Sequence, residues 1–159
     1  MFAIEVRADP TDQRFFQTVG QANIYLNGSL RYKGEPTRSY ESDVVDLDGK
    51  RIIRCHSFSA NWWSALFGNR TYIFEAEGGP ELARIICQGP FGLDRHISID
   101  GEISPYPSGS EIVLPGAAFS VCGNPIEVRV NASDDSHKLA YIGIAVHLWM
   151  RQWASRGDE

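Results

Sequence analysis

Apolar and polar residues alternate at the start of this chain. Phe2, Ile4 and Val6 are interleaved with Ala3, Glu5 and Arg7, the period of a strand with one buried face. Short runs of the same kind follow, each bounded by turn residues. Ala22–Leu26 and Ser29–Tyr32 flank Asn27-Gly28, Val44–Leu47 and Arg51–Ser57 flank Asp48-Gly49, and His96–Ile99 and Glu102-Ile103 flank Asp100-Gly101. Asn-Gly and Asp-Gly accept the positive φ of a two-residue hairpin turn, which predicts three tight hairpins. Thr71–Ala76 and Leu82–Cys87 flank Gly78-Gly79-Pro80, and Lys33–Ser39, with Gly34 and Pro36, reads as loop. Glu111–Leu114, Ala118–Val121 and Ile126–Val130 complete the series, separated by Pro115-Gly116 and Gly123-Asn124-Pro125. Short strands at this spacing describe an antiparallel barrel or sandwich.

The pattern then changes. Leu139–Met150 reads LAYIGIAVHLWM, twelve residues without a formal charge. A helix that is apolar on every side is buried, and spanning a bilayer takes roughly 20 residues. Asp134, Asp135 and Ser136 precede it and can cap its first N–H groups. Gly143 in its interior costs about 1 kcal/mol relative to Ala, which makes sense where another segment passes closely. The expectation is one all-β domain: a closed antiparallel barrel of roughly ten to twelve strands around a central hydrophobic helix. Strands span residues 2–130, the helix about 135–153, and residues 154–159 form a short polar tail.

YESDVVDLDGKRIIRCHS (Tyr40–Ser57), YIFEAEGGPELARIICQ (Tyr72–Gln88) and VRVNASDDSHKLAYIGIAVHLWM (Val128–Met150) give hairpin, hairpin, then strand, acidic loop and helix. This order resembles the LURP-one-related and phospholipid-scramblase-like proteins, which share the tubby C-terminal fold. The resemblance covers residues 20–153 and implies a barrel enclosing a hydrophobic C-terminal helix. It also implies a non-enzymatic binding or scaffold module that contacts membrane lipid or a protein partner. The family's functional residues do not carry over. Scramblases place a cysteine-rich segment and an acidic calcium-binding stretch before the last helix. Here there is no cysteine cluster, and Asp134-Asp135 is too short for a calcium loop.

Composition narrows the classes. The chain has 159 residues, 43% hydrophobic and 22% charged, with a net charge of −5. That is a single soluble-type domain with an acidic balance, unsuited to a broad nucleic-acid surface. Cys55, Cys87 and Cys122 are odd in number and lack CxxC spacing, so no disulfide framework, metal site or cofactor is expected. The first ten residues hold Glu5, Arg7 and Asp9 and no apolar run, unlike a secretory leader. A cytoplasmic location without a transmembrane segment is expected, with peripheral membrane contact as a variant of it.

Candidate chemistry is sparse. Cys55 and His56 are adjacent on a strand and so point to opposite faces, which separates nucleophile from base. His147 lies within the apolar helix and reads as a neutral core imidazole. His96 and His137 have no HxH or HxxxH neighbour. NWWSALFGNR (Asn61–Arg70) places Trp62, Trp63, Leu66 and Phe67 between two strands. It is either an exposed tip that contacts a partner or lipid, or a plug closing one barrel end. Arg31, Lys33, Lys50, Arg51 and Arg54, with Arg38, could form an anion or lipid-headgroup contact. Glu35, Glu41, Asp43, Asp46 and Asp48 interleave with them, as on a mixed solvated face. Two other functions fit the pattern: a small-ligand carrier with a lipocalin-like cavity, and an enzyme whose site joins residues distant in sequence.

Overall fold

A computed structural model describes residues 1–10, 20–38, 41–106, 110–123 and 125–156. Its strands are β1 (Phe2–Ala8), β2 (Ala22–Leu26), β3 (Ser29–Arg38), β4 (Glu41–Asp46), β5 (Arg51–Phe58), β6 (Arg70–Ala76), β7 (Glu81–Gln88), β8 (Asp94–Ile99), β9 (Glu102–Pro105), β10 (Glu111–Leu114), β11 (Ala117–Cys122) and β12 (Glu127–Ala132). Among the described residues there are also two helices, α1 (Trp62–Leu66) and α2 (Lys138–Arg156), and 3-10 turns at Pro90–Gly92 and Asp135–His137.

All twelve strands form one antiparallel sheet in the order β10-β11-β12-β1-β2-β3-β4-β5-β6-β7-β8-β9. β1 pairs with both β2 and β12, Ile4 lying opposite Leu26 and Val130, so the first and last strands of the chain are neighbours inside the sheet. β9 and β10 are the end strands, so the barrel is nearly closed, with one seam between them. Period-two alternation sorts the faces: Phe2, Ile4 and Val6 are buried, as are Val128, Val130 and Ala132 opposite them.

Helix α2 fills the lumen. Every residue from Ala140 to Met150 is buried, including Ile142, Ile144 and His147 at 0% exposure. Two glycines let helix and wall approach. A Cβ on Gly143 would lie 2.8 Å from Phe74 Cδ1, and one on Gly34 of β3 would lie 3.1 Å from Val146 Cγ1. The Trp149 indole donates to the Ile126 carbonyl at 3.2 Å, satisfying its N–H in the core. Where the helix starts, the Asp134 side chain accepts from the Ser136 N–H.

Three expectations need correction. Lys33–Arg38 is strand, not loop: Gly34 faces the helix and Pro36 lies beyond the last β2 partner, where a missing N–H breaks no ladder bond to β2. Asn27-Gly28 and Asp100-Gly101 are two-residue turns, with φ of 48° and 84°, and 50° and 79°. Asp48-Gly49, however, sits in a four-residue turn, Leu47–Lys50. There the Asp46 carboxylate accepts from the N–H groups of Asp48 and Lys50, both at 2.9 Å, so the preceding Asp sets the turn. Finally, α2 runs to Arg156, so residues 154–156 are its last turn rather than tail.

The two barrel ends differ. The tight turns at Asn27-Gly28, Asp100-Gly101 and Pro115-Gly116 gather at the end where α2 begins. Ser133 N–H bonds the Gly116 carbonyl there, and His137 reaches Asp100. The longer connections after β5 and β7 lie at the end where α2 finishes, with Arg151 over the Tyr72 ring and near Cys87.

Candidate contact surface

At this second end the connection between β5 and β6 folds into α1. Asn61 is extended at φ −161°, and its side chain accepts from the Ser64 N–H at 2.8 Å, an N-cap that starts the helix. Phe67 N–H bonds the Trp63 carbonyl, and Gly68 at φ 80° ends the turn. A helix this short has no buried residue. Trp62 is 65% exposed, Trp63 54%, Leu66 65% and Phe67 49%. Their rings stack in series, Trp62 on Trp63 with centroids 4.1 Å apart and Trp63 on Phe67 at 6.4 Å. The plug arrangement is therefore not the one adopted: the side chains point outward, and α2 fills the lumen with Ala140–Met150.

A second loop abuts the first. A Cβ on Gly68 would lie 2.9 Å from the Phe91 carbonyl oxygen, and one on Gly92 would collide with Gly68 itself. Gly89, Phe91 and Gly92 all have positive φ. For an aromatic residue that conformation is strained. It is held from below, where Arg95 Nε donates to the Gly92 carbonyl at 3.1 Å while its guanidinium lies over the Tyr106 ring. The loop presents Phe91 and Leu93 to solvent. Sequence reading missed these two residues; large apolar groups inside Gly89-Pro90-Phe91-Gly92-Leu93 were the available signal. The result is one corner with six exposed apolar side chains, and neither residues 59–69 nor 88–93 contain a charged group.

The candidate cations do not converge in this way. Arg31 and Lys33 lie on β3, Lys50 in the β4–β5 turn, and Arg51 and Arg54 on β5. Lys33 Nζ bonds the nearly buried Asp9 carboxylate at 3.0 Å, and Arg51 Nε bonds Glu77 at 2.7 Å. The Arg51 bond holds the Glu77 carboxyl below its ordinary range. Arg51, Arg54, Glu75 and Glu77 share one shallow depression beside Gly78 and Gly79, so its cations face carboxylates. The Arg38 side chain lies outside the described residues.

Cys55 is buried while His56 faces outward, its Nε2 3.0 Å from Glu75. Burial, reinforced by Glu41, pushes the Cys55 thiol up to about 12, the opposite of an activated nucleophile. His147 is packed between Tyr72 and Phe74, with ring centroids 4.6 and 5.9 Å away. His96 stands 3.7 Å from Asp94. His137 does more: Nδ1 lies 2.7 Å from Asp134 and Nε2 2.6 Å from Asp100, bridging the start of α2 to the β8–β9 turn. These two hydrogen bonds, that to Asp100 the stronger, raise the imidazole above its ordinary value. Among the described residues no group of three or more His, Cys, Asp or Glu side chains could hold a metal ion. Nor is any described helix long and apolar enough to cross a membrane.

The chain is thus a nearly closed all-β barrel built around a helix, with an exposed apolar corner at one end. No family model, curated protein or solved structure matches it.

Proposed function

We propose that this chain is a non-enzymatic binding or scaffold module of the tubby-like, LURP-one-like kind, acting in the cytoplasm through the corner formed by α1 and the β7–β8 loop. One observation carries the reading. Six large apolar side chains stand exposed on two interlocked, uncharged loops, where isolated surface apolar residues need no explanation but a contiguous group does. A lipocalin-like carrier needs an open lumen, and here α2 occupies it over Ala140–Met150. An enzyme built on Cys55 and His56 needs them on one face, and they lie on opposite faces.

The test is the double variant Trp62→Ser, Phe67→Ser. A contact surface predicts stability within about 1 kcal/mol of the parent, as for surface substitutions generally. It also predicts loss of whichever association the parent shows, to itself in sedimentation or to phosphatidylcholine vesicles in flotation. Destabilisation by several kcal/mol in urea with association unaltered would instead make these residues structural.

A further inference from the structure

We infer that the occupant of the α1 corner is a second copy of this chain, docked about a two-fold axis. The inference rests on the contact-surface reading above and names its partner. The first argument is area. Trp62, Trp63, Leu66, Phe67, Phe91 and Leu93 are between 49% and 73% exposed. With aromatic side chains offering 150–250 Å² each, this is roughly 700 Å² of apolar surface. The largest patch on an ordinary monomer is about 300–600 Å², while a standard stable interface buries about 800 Å² per partner. The corner is therefore the size of half an interface.

The second argument is charge. A two-fold contact sets the same patch against itself, so every charge in it meets a like charge near the axis. With a net charge of −5, two copies repel over most of their surfaces. The corner escapes this, because residues 59–69 and 88–93 carry no ionisable side chain. Charge begins only where the loops end, with Arg70 on one side and Asp94 and Arg95 on the other. An uncharged centre with a charged, polar rim is the usual anatomy of a protein–protein contact. The stacked Trp62, Trp63 and Phe67 rings supply rigid anchors of the type that dominates interface energy.

Sedimentation velocity on the full chain, from about 1 to 300 µM, tests this. The expected result is a reversible monomer–dimer equilibrium and a blue shift of tryptophan emission as the dimer fills. Trp62→Ser, Phe67→Ser should weaken association at least a hundredfold while leaving far-UV circular dichroism unchanged, and Phe91→Ser at least tenfold. Ile103→Ser, on an exposed apolar residue of β9, should leave the equilibrium as it is and so controls for general loss of hydrophobicity. A parent that stays monomeric at 300 µM overturns the dimer, as does a dimer that survives the double variant. A monomer that floats with phosphatidylcholine vesicles would overturn the second copy as occupant yet keep the corner as a contact surface. A monomer indifferent to vesicles would remove both supports at once.

Discussion

Replacing Gly143 by Ala sets two effects of opposite sign against each other. In an exposed helix the change stabilises by about 1 kcal/mol, because Gly loses more backbone freedom on folding. Inside this barrel the new methyl carbon would lie 2.8 Å from Phe74 Cδ1 and 3.6 Å from Ile53 Cγ2. The first distance is about 1 Å short of ordinary carbon contact. Phe74 has no easy retreat, being fully buried on β6 and edge-on to His147. Added methyl groups in tight cores cost about 1–3 kcal/mol. The clash should therefore win, with a net loss of about 1 kcal/mol. Urea denaturation read by tryptophan fluorescence would show a lower midpoint at unchanged slope. The same substitution in a Phe74→Leu background should regain stability, since the shorter side chain vacates the contested space. A Gly143→Ala protein more stable than its parent would refute the idea that close approach to the wall selects glycine here.

Ile144→Asp should abolish folding, because Ile144 is 0% exposed and an unpaired buried charge costs several kcal/mol; a soluble variant with the parental melting temperature would contradict that. Asp46→Ala should cost about 1 kcal/mol by removing the acceptor of two turn N–H groups, with Asp48→Ala nearly silent, as compared by thermal melts. The His137 bridge should make stability depend on pH in a defined direction. Its folded value is raised above 6.5, so its contribution is complete below 6.5 and fades as pH climbs through the folded value. Asp134 is lowered from 3.8 to about 2, chiefly by its Ser136 hydrogen bonds, so its contribution is present above 3.8 and fades as pH falls toward 2. Urea midpoints should then drop between pH 5.5 and 8.5 in the parent more than in His137→Gln, and an equal drop in both would remove the bridge from the account.

The strands and the central helix were legible because burial imposes periods that residues display locally. β1 alternates, and α2 has no polar stripe because it has no wet side. The tail of β3 was not legible. Gly34 and Pro36 look like punctuation until Val146 is known to pass against one and the β2 ladder to stop before the other. At the corner, composition singled out Trp62, Trp63, Leu66 and Phe67 but could not choose between plug and surface. That choice depends on whether α2 already fills the lumen, and the residues that do so, Ala140–Met150, lie far along the chain from Phe67. Phe91 and Leu93 join them only through the Gly68–Gly92 approach, and the Asp100–His137 contact spans 37 positions. Contacts of this kind leave no local trace.

Placing the core helix after all the strands has a consequence for synthesis. A ribosome adding about 5–20 residues each second releases twelve strands before α2 exists. Until then the inner faces of those strands have nothing to close upon, and β1 cannot meet β12, whose Ala132 pairs with Phe2, before nearly the whole sheet has emerged. Filling and closing the barrel are accordingly events that follow translation of α2, even where single hairpins form as they emerge. Any arrest of synthesis upstream of Lys138 leaves a sheet with an unfilled apolar interior, a form destined for chaperones or aggregation.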